Sequence, residues 1–358
     1  MKINFLLPHI RLSGGVKGLL EYANRLKKIG HEVNIFIPSE RLKWYQLGAK
    51  WKERNRGLQI LPSQAVDWMS NSLSIGVFSE LEPSCIPDAD ILVASAWQTA
   101  EFAARFPQGK GKPFYFIQHY ETLWTREKNR AGKTYDLPMQ QVTISTWLKD
   151  ILNEKHGIEA DVLVTPVDRE VFFCDSKKWN SIPRIAMLHH DYNWKGYTEG
   201  IEAIKKVMQQ ERKIQLVVFG EKLEDPQSLF NSAGFSFEYH YRPTRELLRK
   251  IYASCDIFLC PSWYEGLGMP SMEAMACRCS LVTADTGGCL DFAIHGKTAL
   301  VSPSRDTEGL SQNIIRLLDD EVLLKSISQN GYHKISEFDW RQNCDQLLCF
   351  FEKCLSAK

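Results

Sequence analysis

The chain has 358 residues, 44% hydrophobic and 24% charged, the balance of an ordinary globular protein with room for two domains. Lys and Arg number 44 against 43 Asp and Glu, and a net charge of +1 gives no bulk attraction to nucleic acid. Residues 1–8 are too short an apolar run for a signal peptide, no stretch reaches bilayer-spanning length, and the ten cysteines are scattered, so a cytoplasmic location with reduced thiols is expected.

Residues 2–7 form a short apolar run that predicts a strand. A loop follows over 8–15. Leu19, Leu20, Ala23, Leu26 and Ile29 recur at helical spacing and predict a helix over 16–29, with Gly30 as its stop. Further strands are predicted over 32–37, 91–94, 114–117 and 141–144, with helical stretches between them. Short apolar strands alternating with helices predict a parallel sheet covered on both faces. The alternation restarts after residue 172, with strands at 184–188, 216–219 and 257–260 and helices at 198–208 and 246–253. Two doubly wound α/β domains follow, one over 1–167 and one over 168–337, joined near 166–180. Residues 338–355 predict a last helix with no strand after it. Such folds bind ligands beyond the carboxyl ends of their strands, so a cleft between two facing halves is the expected site.

Ser13-Gly14-Gly15-Val16-Lys17-Gly18 nearly matches a dinucleotide fingerprint, with Ser13 where the first glycine belongs and Glu40 near the place of the ribose acid. That fingerprint needs a tight turn directly after the strand. Residues 9–13 separate Pro8 from Gly14, too long a loop for NAD, and the better reading is that Gly14 and Gly15 open a helix whose N–H groups face a ligand. Residues 41–56 mix Arg41, Lys43, Trp44, Tyr45, Lys50, Trp51, Lys52, Arg54 and Arg56. The stretch is either a solvated basic face or a peripheral contact with an anionic membrane. Nucleic acid is a distant third reading. The apolar run at 114–117 ends in Gln118-His119-Tyr120-Glu121, where a parallel sheet presents catalytic groups.

In the second half, His189-His190-Asp191 invites a metal reading, but successive strand residues point to opposite faces. Cys277 and Cys279 are separated by one residue without partners at finger spacing, a poor zinc site. No metal is expected. The richest segment is Glu265-Gly266-Leu267-Gly268-Met269-Pro270-Ser271-Met272-Glu273. A Gly-Leu-Gly turn follows the first acid. Pro270 predicts a helix start, and Glu273 is expected in that helix's first turn, where a carboxylate suits the macrodipole. Turn amides and a helix N-terminus make an anion site. Two fixed acceptors beside it suit a nucleotide-sugar. A second glycine turn, Gly287-Gly288, follows the apolar run at 280–283, with Asp291 after it.

Residues 247–303 resemble the donor half of a retaining GT-B glycosyltransferase of the family called GT4, in which two acids eight positions apart precede a Gly-Gly turn. The resemblance implies a GT-B fold of two Rossmann-like domains facing a central cleft, with the terminal helix, 338–358, crossing back onto the first domain. It implies transfer of a hexosyl group from a nucleotide-sugar to a glycan or lipid-linked acceptor hydroxyl in polysaccharide or glycolipid synthesis, with retained anomeric configuration and no cofactor. It assigns His119 to the donor sugar and Lys195, before Gly196, to the diphosphate. Glu265 would bind sugar hydroxyls and Glu273 the ribose diol. Gly266, Leu267 and Gly268 form the donor turn, Gly287, Gly288 and Asp291 the diphosphate and base end, and Gly14 and Gly15 a loop near donor or acceptor. The family's arginine five positions before the lysine is His190 here. Either His190 fills that role or another cation does, with Arg126, Arg242 and Arg245 as candidates. No spare carboxylate nucleophile is visible, which favours a same-face mechanism over double displacement. Alternatives are a GT-B relative that epimerises or phosphorolyses sugars, and a non-catalytic nucleotide-sugar-binding or scaffold subunit.

Overall fold

A computed structural model describes residues 1–10, 13–38, 59–61, 73–78, 82–221 and 225–356. The basic stretch at 41–56 lies outside the described residues. The chain divides into two compact units, 1–165 with 341–358, and 166–340.

Unit 1 runs β1 (Lys2–Leu6), α1 (Gly14–Lys28), β2 (Glu32–Pro38), β3 (Gln59–Leu61), β4 (Ile75–Phe78), β5 (Ile91–Ala94), α2 (Trp97–Ala103), β6 (Lys112–Ile117), α3 (Lys128–Tyr135), β7 (Gln140–Thr143), α4 (Thr146–His156) and β8 (Asp161–Val162). Its described strands form one sheet in the order β3-β4-β2-β1-β5-β6-β7-β8. All pairings are parallel except β3 with β4, which is antiparallel. β3 is thus an antiparallel edge strand on an otherwise parallel sheet, the place where mixed sheets commonly carry one. β1 and β5 are buried along almost their whole length because helices cover both faces. Ser13 caps α1, its Oγ accepting from Val16 N–H at 3.3 Å.

Unit 2 runs β9 (Arg184–His189), α5 (Tyr197–Gln209), β10 (Gln215–Gly220), α6 (Gln227–Ala233), β11 (Glu238–Tyr241), α7 (Arg245–Ser254), β12 (Ile257–Cys260), α8 (Met269–Ala276), β13 (Ser280–Ala284), β14 (Ala299–Ser302), α9 (Thr307–Asp319) and α10 (Glu321–Ser336). The strand order is β11-β10-β9-β12-β13-β14, parallel throughout. Ile185, Met187, Val218 and Leu259 of the strands pack with Ile201, Ile204 and Val207 of α5 and Leu310 and Ile314 of α9. Full burial of each such side chain contributes roughly 1.5–3 kcal/mol. The chain moves outward from β9 in both directions, so the topological switch point lies between β9 and β12.

The last helix, α11 (Trp340–Ser356), belongs from residue 341 onward to unit 1. Phe351 is fully buried edge-on against Phe114 of β6, ring centroids 4.9 Å apart. Asn343 accepts from the buried Tyr22 hydroxyl. Lys112 Nζ reaches the Cys354 carbonyl at 2.9 Å.

Candidate functional site

The switch point of unit 2 brings a lysine and a glutamate together. Lys195 follows β9 and Glu265 follows β12. Lys195 Nζ lies 2.8 Å from both Glu265 carboxylate oxygens. Ser262 Oγ donates to the same carboxylate at 2.8 Å. The pair is mostly shielded, with side-chain exposures of 21% and 13%, so its attraction is screened less than that of a surface pair. The backbone presents Lys195 through Gly196. This glycine has φ 65°, and a Cβ there would fall 2.0 Å from the Pro261 carbonyl oxygen. Only glycine lets the β9 loop lie this close to the β12 loop. Trp263 N–H donates to the Trp194 carbonyl at 2.7 Å and joins the same two loops.

A pocket beside the pair is lined by Leu188, Lys195, Ser262, Glu265, Gly268 and Ser271, among others. Lys195, Glu265 and Gly268 therefore meet in one recess. The second glycine turn closes against the first. Glu265 N–H donates to the Thr286 carbonyl at 2.9 Å, and Gly288 N–H to the Glu265 carbonyl at 3.3 Å. Gly266, Leu267 and Gly288 are buried, and Gly287 and Asp291 half-buried. Ser262, which the sequence reading did not single out, is buried in the pocket wall. Its place three residues before Glu265 is the one sequence cue to it.

Glu273 requires a correction. Helix α8 begins at Met269 with Gly268 as its cap, so Pro270 is its second residue and no acid lies in its first turn. Glu273 sits one turn deeper and is 5% exposed. A carboxylate there gains little from the macrodipole, which acts mainly within the first turn. His190 comes directly after β9 and is half-buried. Its Nδ1 accepts from Tyr192 N–H at 3.1 Å. Of the alternative cations, Arg245 is engaged by Asp168 at 2.9 Å. Arg242 lies past the end of β11 with φ 44°. Arg126 lies in unit 1.

In unit 1, Gly14 and Gly15 open α1, which follows β1, and Gly15 packs against the Gln118 side chain. A Cβ on Gly15 would lie 3.0 Å from Gln118 Oε1. The helix N-terminus is thus beside the residue that precedes His119. The turn carrying His119 is held from below. The Tyr135 hydroxyl accepts from Glu121 N–H at 2.9 Å and donates to the His119 carbonyl at 3.3 Å. Tyr120 Oη lies 3.2 Å from His156 Nε2, and His156 Nδ1 lies 2.9 Å from Asp136. Glu121 is buried at 8% exposure, and its carboxylate accepts from Trp97 N–H at 2.7 Å. Burial pushes the Glu121 carboxyl up to about 7, with the Trp97 N–H pulling the other way.

Two Rossmann-like units of parallel sheet in one chain define the GT-B class of fold, and the second unit holds a lysine–glutamate pair and two glycine turns at its switch point. Residues 168–334, just under half of the chain, match the family described as Glycosyl transferases group 1. It is 27% identical over 143 residues to an N,N'-diacetylbacillosaminyl-diphospho-undecaprenol alpha-1,3-N-acetylgalactosaminyltransferase of Campylobacter jejuni, covering 40% of this chain and 38% of that protein. It is 26% identical over 147 residues to the capsular polysaccharide biosynthesis glycosyltransferase CapM of Staphylococcus aureus, covering 39% and 38%. The matches thus span about two fifths of these relatives' own length. Among solved structures, Anabaena HepE in complex with UDP-glucose superposes with a TM-score of 0.79 at 15% identity, covering 99% of this chain and 100% of that one. Sucrose-phosphate synthase from Thermosynechococcus elongatus gives 0.75 at 14% identity, with full coverage of both chains.

Proposed function

We propose that the protein is a retaining hexosyltransferase that moves a sugar from a nucleoside-diphosphate donor to an acceptor hydroxyl in cell-surface polysaccharide or glycolipid synthesis. The observation that carries this reading is the Lys195–Glu265 pair at the switch point of unit 2, backed by Ser262 and flanked by both glycine turns. Relatives named for transfer to a diphospho-undecaprenol-linked sugar and for capsular polysaccharide support the pathway class, and a HepE complex with UDP-glucose supports the donor class.

The barrier to such a transfer lies in building positive charge at the anomeric carbon while a diphosphate departs. Fixed positive charge and N–H dipoles aimed at the leaving group lower it. Lys195 supplies the charge, and Glu265 keeps the ammonium in place and offers its oxygens to sugar hydroxyls. The amides of the turns at 266–268 and 287–288 and the N-terminus of α8 face the phosphates. Glu273 binds the ribose diol, Asp291 shapes the base end of the pocket, and His119 contacts the sugar. Gly14 and Gly15 present the α1 amides.

A thermal-shift screen against UDP, GDP, ADP, TDP and NAD, with and without Mg²⁺, tests the reading. One nucleoside diphosphate should raise the melting temperature without metal, by a few kcal/mol of stabilisation at saturation, and Glu273→Ala should abolish the rise. A shift with NAD alone would refute it and return attention to Gly14, Gly15 and Gly18. His190 in the place of the expected arginine favours, as a second reading, a subunit that binds the nucleotide-sugar without turnover. Binding with no sugar transfer would establish that reading. Among the described residues no helix is long and apolar enough to cross a membrane.

A further inference from the structure

We propose that His119 and His190 are each held as the neutral Nε2–H tautomer, and that each meets its ligand as a hydrogen-bond donor and not as a base. The ligand half of this inference rests on the glycosyltransferase reading; the tautomers do not.

In unit 1 the indole Nε1–H of Trp124 donates to His119 Nδ1 at 3.3 Å, with the rings at 82° to each other. An indole nitrogen has a proton to give and no lone pair to receive one, so the imidazole nitrogen facing it must be an acceptor. In unit 2 the same constraint comes from the main chain. Tyr192 N–H donates to His190 Nδ1 at 3.1 Å. The Tyr192 ring also lies over the His190 imidazole, centroids 4.3 Å apart at 28°, and Trp194 continues the stack at 4.2 Å and 15°. This stack holds the His190 ring in register with the N–H that it accepts. A neutral imidazole carries one proton, so in both histidines it sits on Nε2. A proton added at Nδ1 would set two N–H groups against each other.

The chemical consequence is the same in both units. Neither histidine has a lone pair at Nε2 with which to take a proton from a hydroxyl. What each offers is a single N–H for a sugar or phosphate oxygen. At His190 this gives direction without charge, and the charge is left to Lys195. Trp124 is then a positioning residue that acts through His119. The locks are independent, one a side chain and one a backbone amide, on different sheets.

A long-range ¹H–¹⁵N spectrum of the full chain labelled with ¹⁵N-histidine reads the tautomers directly, with His119→Gln and His190→Gln assigning the signals. Both histidines should show a bare Nδ1 and a protonated Nε2. In Trp124→Phe, which deletes the N–H, His119 alone should relax to a mixture while His190 stays as it was. An Nδ1–H form at either histidine, or an unchanged His119 in Trp124→Phe, overturns the proposal. If that variant does not fold, the wild-type spectrum still decides the tautomers. Titrating UDP addresses the donor-site reading separately. A titration that moves neither histidine and leaves the melting temperature unchanged overturns the ligand half, while the tautomers stand as measured. In a transfer assay, His190→Leu should lose about 10²-fold in turnover, the usual cost of one preorganised donor. His190→Gln, whose amide can still donate, should lose at least about tenfold less. Equal loss in the two variants would show that His190 does not act by donation.

Discussion

At the scale of single residues the site depends on backbone that no side chain interrupts. A Cβ on Gly288 would fall 2.2 Å from the Gly266 carbonyl oxygen and 2.7 Å from that of Glu265. These are rigid backbone atoms, and relief would require the two glycine turns to separate. Gly288→Ala should therefore cost about 1–3 kcal/mol or more by overpacking. If the turn amides hold the diphosphate as proposed, it should also abolish the nucleotide-induced rise in melting temperature, because they would no longer converge. Melting curves with and without UDP measure both effects. A variant with wild-type stability and binding would show that the turns have slack. The Lys195–Glu265 pair makes a contrasting prediction. Glu265→Gln keeps a hydrogen-bond acceptor for Lys195 but removes the opposing charge. It should fold, bind the nucleoside diphosphate, and lose sugar transfer by about 10²-fold or more. Nucleotide titration beside a transfer assay separates the two effects.

At the scale of elements, the turn after β6 contains a group that couples the fold to pH. Glu121 titrates near 7 in the folded chain because it is buried, against about 4.5 when solvated. A raised carboxyl pKa means that the folded state holds the proton more tightly. This contribution to stability is fully present below about 4.5 and is lost as pH rises through about 7. The difference amounts to ~3 kcal/mol. Glu121→Gln should flatten the stability of the protein across that window and raise it above neutral pH, since the amide oxygen can still accept from Trp97 N–H. Denaturant melts at several pH values check this, and an unchanged pH slope would show that Glu121 ionises freely. The sequence made this strand end legible as a place for chemistry, because an apolar run stopped at Gln118-His119-Tyr120-Glu121. It gave no means of telling that Glu121 points inward, since its burial is set by Trp97, Tyr115 and Tyr135 from other elements. The same contrast holds elsewhere. The apolar runs at 91–94 and 257–260 became β5 and β12 with those bounds, since strands buried on both faces leave an unbroken apolar signature. β11, with the sequence Glu-Tyr-His-Tyr and partial exposure, and the two-residue β8 leave none. The start of α8 was misplaced because a glycine with φ 99° acts as its cap, a choice of backbone that residue types do not announce.

At the scale of the whole molecule, unit 1 is built from both ends of the chain. The residues of α11 that pack on it include Leu347 and Phe351, both fully buried, and Lys353 pairs with Asp161 at 3.2 Å. Phe351→Ala should cost unit 1 roughly 3–5 kcal/mol. Deleting residues 341–358 should lower the melting of unit 1 while unit 2, which closes its own sheet and core over 166–340, keeps its transition. Calorimetry resolving two transitions would test this, and a joint loss of both would show that the units do not melt separately.

The return of the final helix also sets a schedule for synthesis. A ribosome releases the β1 to β8 sheet long before the residues that cover Phe114 exist. Unit 2, contiguous from 166 to 340, has every part it needs as soon as its last helix emerges. The first unit to be translated is thus the last to be completed. Until residues 341–356 have emerged it exposes an uncovered apolar seam, which is where nascent-chain chaperones would find their handhold.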